Sequence, residues 1–288
     1  MSEEKIAIVA DTGCDIPADL AKEYGITMLP LHVYYPEKEY FDDVDIDPMM
    51  VYDRFPDEIP KTSTPTIDEI KCLYGKLKEE GYTHIISVAI SSKFSGTYNA
   101  MKLAADYIEG VEFFVFDTKN ISCGSGIFAY WAARMIKEKG LSFKEVTEGM
   151  QKKIRDPYLI YYMDTLTYLQ KGGRIGKVSS MVGNILKLKP LISCNEDGEY
   201  YVAGKARGTK QANRLLIDDM VEHAGDKHVW VTVMEGKAHD MLLHSVEELK
   251  ARITDMELIY TKQISATMAI NTGPGLIGIM VFDPSLPV

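Results

Sequence analysis

A chain of 288 residues exceeds the usual size of a single hydrophobic core, so two domains are expected. With 46% hydrophobic and 26% charged residues it has the composition of an ordinary water-soluble globular protein. Its net charge of −10 disfavours general binding to nucleic acid and allows at most transient contact with a membrane surface.

The first half alternates strand-like and helix-like segments. Residues 5–10 form a short apolar run, followed by Asp11-Thr12-Gly13-Cys14-Asp15 and a helix through Leu20 that Gly25 closes. A second apolar run covers 26–33. Asp47-Pro48 has the form of a helix cap followed by a first-turn proline. Thr66 with Glu69 makes a capping box, and Ile67, Ile70, Tyr74 and Leu77 recur at helical spacing up to Gly81. Residues 84–90 read as a buried strand, Tyr98, Met101, Ala105 and Ile108 as one helical face, 112–117 as a strand, and Gly126 to Lys139 as a long helix. Such alternation predicts a parallel sheet with helices on both sides.

Beyond a helix that begins near Ser142 the pattern changes. It predicts a strand over 158–163, a short helix ending at Gly172-Gly173, a helix over 178–187 and a hairpin around Asp197-Gly198. A helix (209–223), a strand (229–234), a helix (239–251) and strands near 257–264 and 276–282 follow. Hairpin and helices together predict a mixed sheet. The expected fold class is therefore α/β: a three-layer parallel-sheet domain over residues 1–155, then a mixed-sheet α/β domain over 156–288, divided at Arg155-Asp156-Pro157.

Three segments rich in hydroxyls and glycine stand beside predicted strand ends: Lys61–Pro65, Ser91–Tyr98 and Asn271–Gly275. They offer small donors and backbone N–H groups without a nucleophile–base pair, which suits holding an oxygen-rich head group. Ser95 falls where a helix starts. Its hydroxyl can cap that helix, and the same helix end can hold an anion. As a nucleophile Ser95 is poorly placed, because its flanks do not match G-x-S-x-G and no histidine is near in sequence.

The stretch Lys171–Arg214 holds nine basic and three acidic residues, a charge of +6, which leaves −16 elsewhere. Such a face suits a phosphate group or an acidic partner, and equally a plain solvated surface. Gly124–Ala129 and Gly273–Gly278 spell a dinucleotide fingerprint but lack its strand–turn–helix context. In Asp43–Asp47, Pro48 replaces the turn glycine of a calcium loop. The six histidines lack metal spacing. The four cysteines (Cys14, Cys72, Cys123, Cys194) include no C-x-x-C pair, which suits a reducing cytosol. The amino-terminal residues lack a signal-peptide pattern and no apolar run spans a bilayer, so a cytoplasmic protein is expected.

The Thr62–Pro65 segment, Ser91–Tyr98, Lys171-Gly172-Gly173-Arg174, Lys187-Leu188-Lys189-Pro190 and Thr272–Gly275 occur in the order seen in the DegV family of bacterial fatty-acid-binding proteins, which the chain resembles along almost its full length. That resemblance implies a two-domain α/β fold, a long-chain fatty acid buried between the domains, and delivery of the acid to an ATP-dependent fatty acid kinase that makes an acyl phosphate. It places the carboxylate-binding residues at Thr62 and Ser95, with Asn271 where many relatives have a histidine, and Ser63 and Gly96 in the adjoining loops. Near the amino terminus Asp11-Thr12-Gly13-Cys14-Asp15 replaces the usual Asp-Ser-Thr-Ala-Asp. Hydroxyls and a helix end can hold a carboxylate with no basic residue in the pocket. Arg174, Lys205 and Arg207 are then expected to meet a partner or a phosphate. No cofactor, metal or catalytic residue is expected. The alternative is a hydrolase or small-molecule transferase using Ser95.

Overall fold

The computed structural model describes residues 4–181 and 188–287. The chain begins with strand β1 (Ile6–Asp11), helix α1 (Ala18–Glu23), strands β2 (Ile26–Leu29), β3 (His32–Tyr34) and β4 (Glu39–Phe41), and helix α2 (Pro48–Arg54). Strand β5 (Lys61–Ser63), helix α3 (Ile67–Glu79), strand β6 (His84–Ala89), helix α4 (Thr97–Ala105) and strand β7 (Glu112–Asp117) follow. Next come helices α5 (Cys123–Lys139) and α6 (Phe143–Lys152), strand β8 (Tyr158–Tyr162) and helix α7 (Thr167–Lys171). The remainder comprises β9 (Lys189–Cys194), β10 (Tyr200–Ala206), α8 (Thr209–Ala224), β11 (Val229–Gly236), α9 (His239–Arg252), β12 (Met256–Gln263), α10 (Ala266–Thr272) and β13 (Leu276–Phe282).

Strands β2-β1-β6-β7 form a parallel sheet in that order. Both faces are covered, as parallel sheets require. Ala7, Val9, Ile85 and Ala89 pack against Ile70 and Tyr74 of α3 and Met101 of α4. The alternate residues Ile8, Ala10, Ile86 and Val88 join a larger cluster that contains α5. The Thr66–Glu69 capping box starts α3, with Glu69 N–H on the Thr66 hydroxyl at 3.2 Å.

The second sheet is mixed, in the order β10-β9-β8-β13-β11-β12, with β11 and β12 parallel and the other neighbours antiparallel. One face carries Ile160, Val231 and Ile279 against α8 and α9. The other carries Leu159, Met234 and Phe282 into the cluster around α5. Helix α5 therefore lies between the two sheets, touching β1 and β6 on one side and β8 and β13 on the other. Every residue from Cys123 to Ala133 is buried, which explains a helix that is apolar all round. The Gly-Ser-Gly run has a packing role: a Cβ on Gly126 would lie 2.3 Å from the Cys14 carbonyl oxygen. The helix begins three residues earlier than its pattern predicts.

Three features depart from the sequence expectation. The apolar run 26–33 divides at Pro30, which has no N–H for a ladder. Strand β2 stays in the parallel sheet, while β3 is the centre of a separate antiparallel sheet, β4-β3-β5. Asn271 lies on the last turn of helix α10 rather than in a loop. Over the predicted 178–187 helix, Gly176–Met181 forms a 3-10 turn, and residues 182–187, with Lys187, lie outside the described residues.

Candidate functional site

The edge strand β5, the β6–α4 loop, the residues after α7 and the end of α10 meet in one cleft. Thr62, Ser63, Ser95, Arg174 and Asn271 line it, and with its open mouth it encloses about 510 Å³. Thr62 is fixed by pairing with Val33 of β3, and its hydroxyl has no hydrogen-bond partner among the described residues. Gly96 supports the arrangement from behind: the position of a Cβ on it lies 3.5 Å from the Thr64 methyl, so the two hydroxyl loops touch.

The serine loop separates into structural and available hydroxyls. Ser91 Oγ donates to the Gly198 carbonyl at 2.8 Å, and Ser92 Oγ donates to Asp117 at 2.6 Å. Ser95 is not the residue that caps α4. Gly96 occupies that position without a side-chain bond, while Ser95 Oγ accepts the Thr97 N–H at 3.2 Å and shares a 2.7 Å bond with the Thr97 hydroxyl. Among the described residues no base contacts Ser95. Asn271 Nδ2 donates to the Thr267 carbonyl at 2.9 Å, which leaves Oδ1 as an acceptor.

A basic residue does enter the cleft. Arg174 donates from Nη1 to the Gly172 carbonyl at 2.6 Å and from Nε to the Phe94 carbonyl at 3.4 Å. No carboxylate pairs with it among the described residues, so its charge is available to an anionic head. Hydroxyls alone could hold a carboxylate, but here Arg174, expected to meet a partner or a phosphate, lines the same cleft. The Gly172-Gly173 pair, with Gly173 at φ +72°, turns the chain so that Arg174 points back. Lys205 and Arg207, by contrast, are exposed on and after the edge strand β10, outside the cleft. Within the basic stretch Lys177 pairs with Glu199 and Lys189 with Asp164, each at 2.6 Å.

Behind the cleft lies an apolar chamber that, with its open side, encloses about 350 Å³. Ile121, Tyr200, Met268 and Thr272 line both spaces, so the two are contiguous. Leu159, Met234 and Leu276 enclose the deeper part. Sequence reading missed this chamber because its walls come from β8, β10, β11, α10 and β13, each an unremarkable apolar segment by itself.

Asp15 of the amino-terminal motif and Asp42 hold α10 in place. Asp15 accepts the Ser265 N–H at 2.8 Å and the Ser122 hydroxyl at 2.5 Å. Asp42 accepts the Thr267 N–H at 3.0 Å and the Thr12 hydroxyl at 2.9 Å. Asp11 accepts the Ile90 N–H at 3.0 Å, which anchors the start of the serine loop. Burial pushes Asp11 and Asp15 up to about 7 and raises Asp42, because a charged carboxylate is costly away from water. Lys262 bonds Asp43 and lies 3.7 Å from Asp15, which opposes that rise.

Asp43, Asp45 and Asp47 do not converge. Asp45 binds the Phe41 N–H and Lys38, and Asp47 caps α2 through Met49 N–H. His32 is buried between Glu39 and Glu69. Among the described residues no group of three histidine, cysteine or acidic side chains could hold a metal. No helix among them is long and apolar enough to cross a membrane.

Residues 5–283 match the family model described as an uncharacterised protein family, DegV. The chain is 42% identical over 279 residues to a DegV domain-containing protein of Clostridium acetobutylicum, covering 97% of this chain and 99% of that one. It is similar to the solved structure of a fatty-acid-binding DegV family protein of Thermus thermophilus, at 28% identity and a TM-score of 0.88 over 97% of this chain and 99% of that one. A stearic-acid-binding protein of Eubacterium ventriosum matches at 25% identity and a TM-score of 0.87, over 97% of this chain and 98% of that one.

Proposed function

The chain belongs to the DegV family, and from that premise we propose that it binds a long-chain fatty acid and presents it to a fatty acid kinase in the bacterial cytoplasm. The carboxylate sits in the cleft on Thr62, Ser95 and Arg174, with Asn271 beside it. The acyl chain enters the chamber behind. The observation that carries this reading is the continuity of a hydroxyl-lined cleft with an apolar chamber through Ile121, Tyr200, Met268 and Thr272. Burying a chain there yields roughly 0.8 kcal/mol per methylene, and the cleft supplies charge-assisted hydrogen bonds to the head. The named activity of the Thermus thermophilus and Eubacterium ventriosum neighbours supports it.

In this reading residues 1–155 and 156–288 act as two domains with the ligand between them, and the protein performs no chemistry itself. Phosphate transfer belongs to the kinase, whose product keeps its negative charge beside Arg174. The exposed Lys205 and Arg207 form a surface for the kinase. A hydrolase built on Ser95 is the rival, and the Thr97-only bonding of its hydroxyl argues against it. Mass spectrometry of an organic extract of the purified protein separates the two. A stoichiometric fatty acid supports the binder. An empty protein that turns over a model ester supports the hydrolase and overturns the proposal.

A further inference from the structure

The apolar chamber contains two tyrosines, Tyr161 of β8 and Tyr200 of β10. Tyr161 is 5% exposed and its hydroxyl is buried without a hydrogen-bond partner. Tyr200 is 3% exposed, and its hydroxyl is close enough to that of Tyr161 for the two to interact. The two rings meet edge to face with centroids 5.8 Å apart, and Tyr200 is held by stacking on Phe94 at 4.0 Å. The other polar side chains of the chamber are committed. Ser122 Oγ donates to Asp15, and Thr272 Oγ1 donates to the Met268 carbonyl. A buried polar group left unpaired is destabilising. Neither ring needs its hydroxyl to fill space, since phenylalanine has the same outline. A plain hydrocarbon chain would leave the buried Tyr161 hydroxyl without a hydrogen bond.

Resting on the fatty-acid reading above, we propose that the preferred ligand is a long-chain fatty acid bearing an oxygen function, a hydroxyl or a keto group, partway along its chain. A keto oxygen accepts from one phenol. A chain hydroxyl donates to one tyrosine and accepts from the other, which satisfies all three groups. The oxygen function loses its water on entry, and only a hydrogen bond inside the chamber offsets that loss. The tyrosines therefore favour oxygenated chains over plain ones and fix where along the chain the oxygen must lie.

The test measures affinity for plain octadecanoic acid and for a panel of octadecanoic acids carrying one hydroxyl or keto group at successive mid-chain positions. The wild-type protein should bind at least one positional isomer about tenfold more tightly than the plain acid. Tyr161→Phe keeps the ring and its packing. Its affinity for each isomer, taken relative to its own affinity for the plain acid, should lose the preference. Tyr200→Phe serves as the second variant and should reduce the preference in the same way. Plain acid bound as tightly as every isomer by wild type, or a preference that survives in both variants, overturns this inference alone. Failure of every acid to bind overturns the fatty-acid reading and this inference with it.

Discussion

Asn271 and Gly172 touch across the cleft: a Cβ on Gly172 would lie 2.4 Å from Asn271 Oδ1. Two segments about a hundred residues apart, the double glycine before Arg174 and the end of α10, therefore meet at the cleft. Gly172 has ordinary helical φ and ψ (−74°, −11°), so its need for glycine is spatial rather than conformational. Gly172→Ala should displace the Asn271 amide from its bond to Thr267 and weaken fatty-acid binding about tenfold, with the fold retained. Ligand displacement with circular dichroism as the folding control measures this. Unchanged affinity would mean that the Asn271 position does not matter to the head group.

Thr62→Ala and Ser95→Ala each remove a hydroxyl from the cleft. Each should weaken binding of a fatty acid by about 1.5–3 kcal/mol, the worth of a hydrogen bond to a charged group. The corresponding fatty alcohol, with no charge, should show a smaller loss. If both variants bind the acid as wild type does, the carboxylate lies elsewhere.

Asn271 cannot carry a proton at neutral pH, whereas a histidine there could. Asn271→His should bind fatty acid progressively better, relative to wild type at the same pH, as pH falls from about 8 to about 5.5, because the imidazolium attracts the carboxylate. Taking the ratio to wild type removes the contribution of Asp11 and Asp15, which titrate in the same window. A ratio constant with pH would place the residue 271 side chain away from the carboxylate.

Arg174 and Arg207 should separate in their effects. Arg174→Gln removes the guanidinium charge of the cleft and should slow kinase-dependent phosphorylation at least tenfold, since arginine grips phosphate bidentately. Arg207→Glu alters only an exposed surface. It should leave fatty-acid binding unchanged and slow phosphorylation mainly at low salt, where screening is weakest. Rates measured with kinase and ATP at two ionic strengths decide both. Equal low-salt rates for wild type and Arg207→Glu would leave that face as ordinary solvated surface.

Asp11 and Asp15 predict an unusual stability profile. Both are held at about 7 against an ordinary value of 3.8. Between these values the folded protein binds more protons than the unfolded chain, so stability falls as pH rises through this window and levels off above it. The thermal unfolding midpoint should be higher near about pH 5.5 than near about pH 8, and Asp11→Asn should shrink the difference. An equal slope in wild type and variant would show that Asp11 stays ionised throughout.

Some of this protein was decided by its sequence alone. The Thr66–Glu69 box with Ile70, Tyr74 and Leu77 specifies α3 to within a residue, because capping and 3.6-residue periodicity are local properties. The strands at 84, 112 and 276 were legible for a similar reason, as short apolar runs bounded by turn residues. The order of the hydroxyl and glycine segments pointed to the family, and Thr62, Ser63, Ser95 and Asn271, which line the cleft, were named from it as head-group or neighbouring-loop residues. Other features had no local signal. Helix α10 has only seven residues and is buried on nearly every side, so it shows no amphipathic face; Ser265 caps it, and Asp15 and Asp42, more than two hundred residues away, hold its start. Strand β3 leaves the run that contains β2 because of its pairing with β4 and β5. Arg174 stands out in sequence with Lys205 and Arg207 as a partner or phosphate contact, not as a wall of the cleft. Only the turn at Gly172-Gly173 and the carbonyls of Gly172 and Phe94 bring it into the cleft. The acyl chamber belongs to no segment, since it exists only where α10 and the inner face of the mixed sheet fail to close. Local propensity is written along the chain, whereas a cavity depends on the distance between elements and is decided by packing.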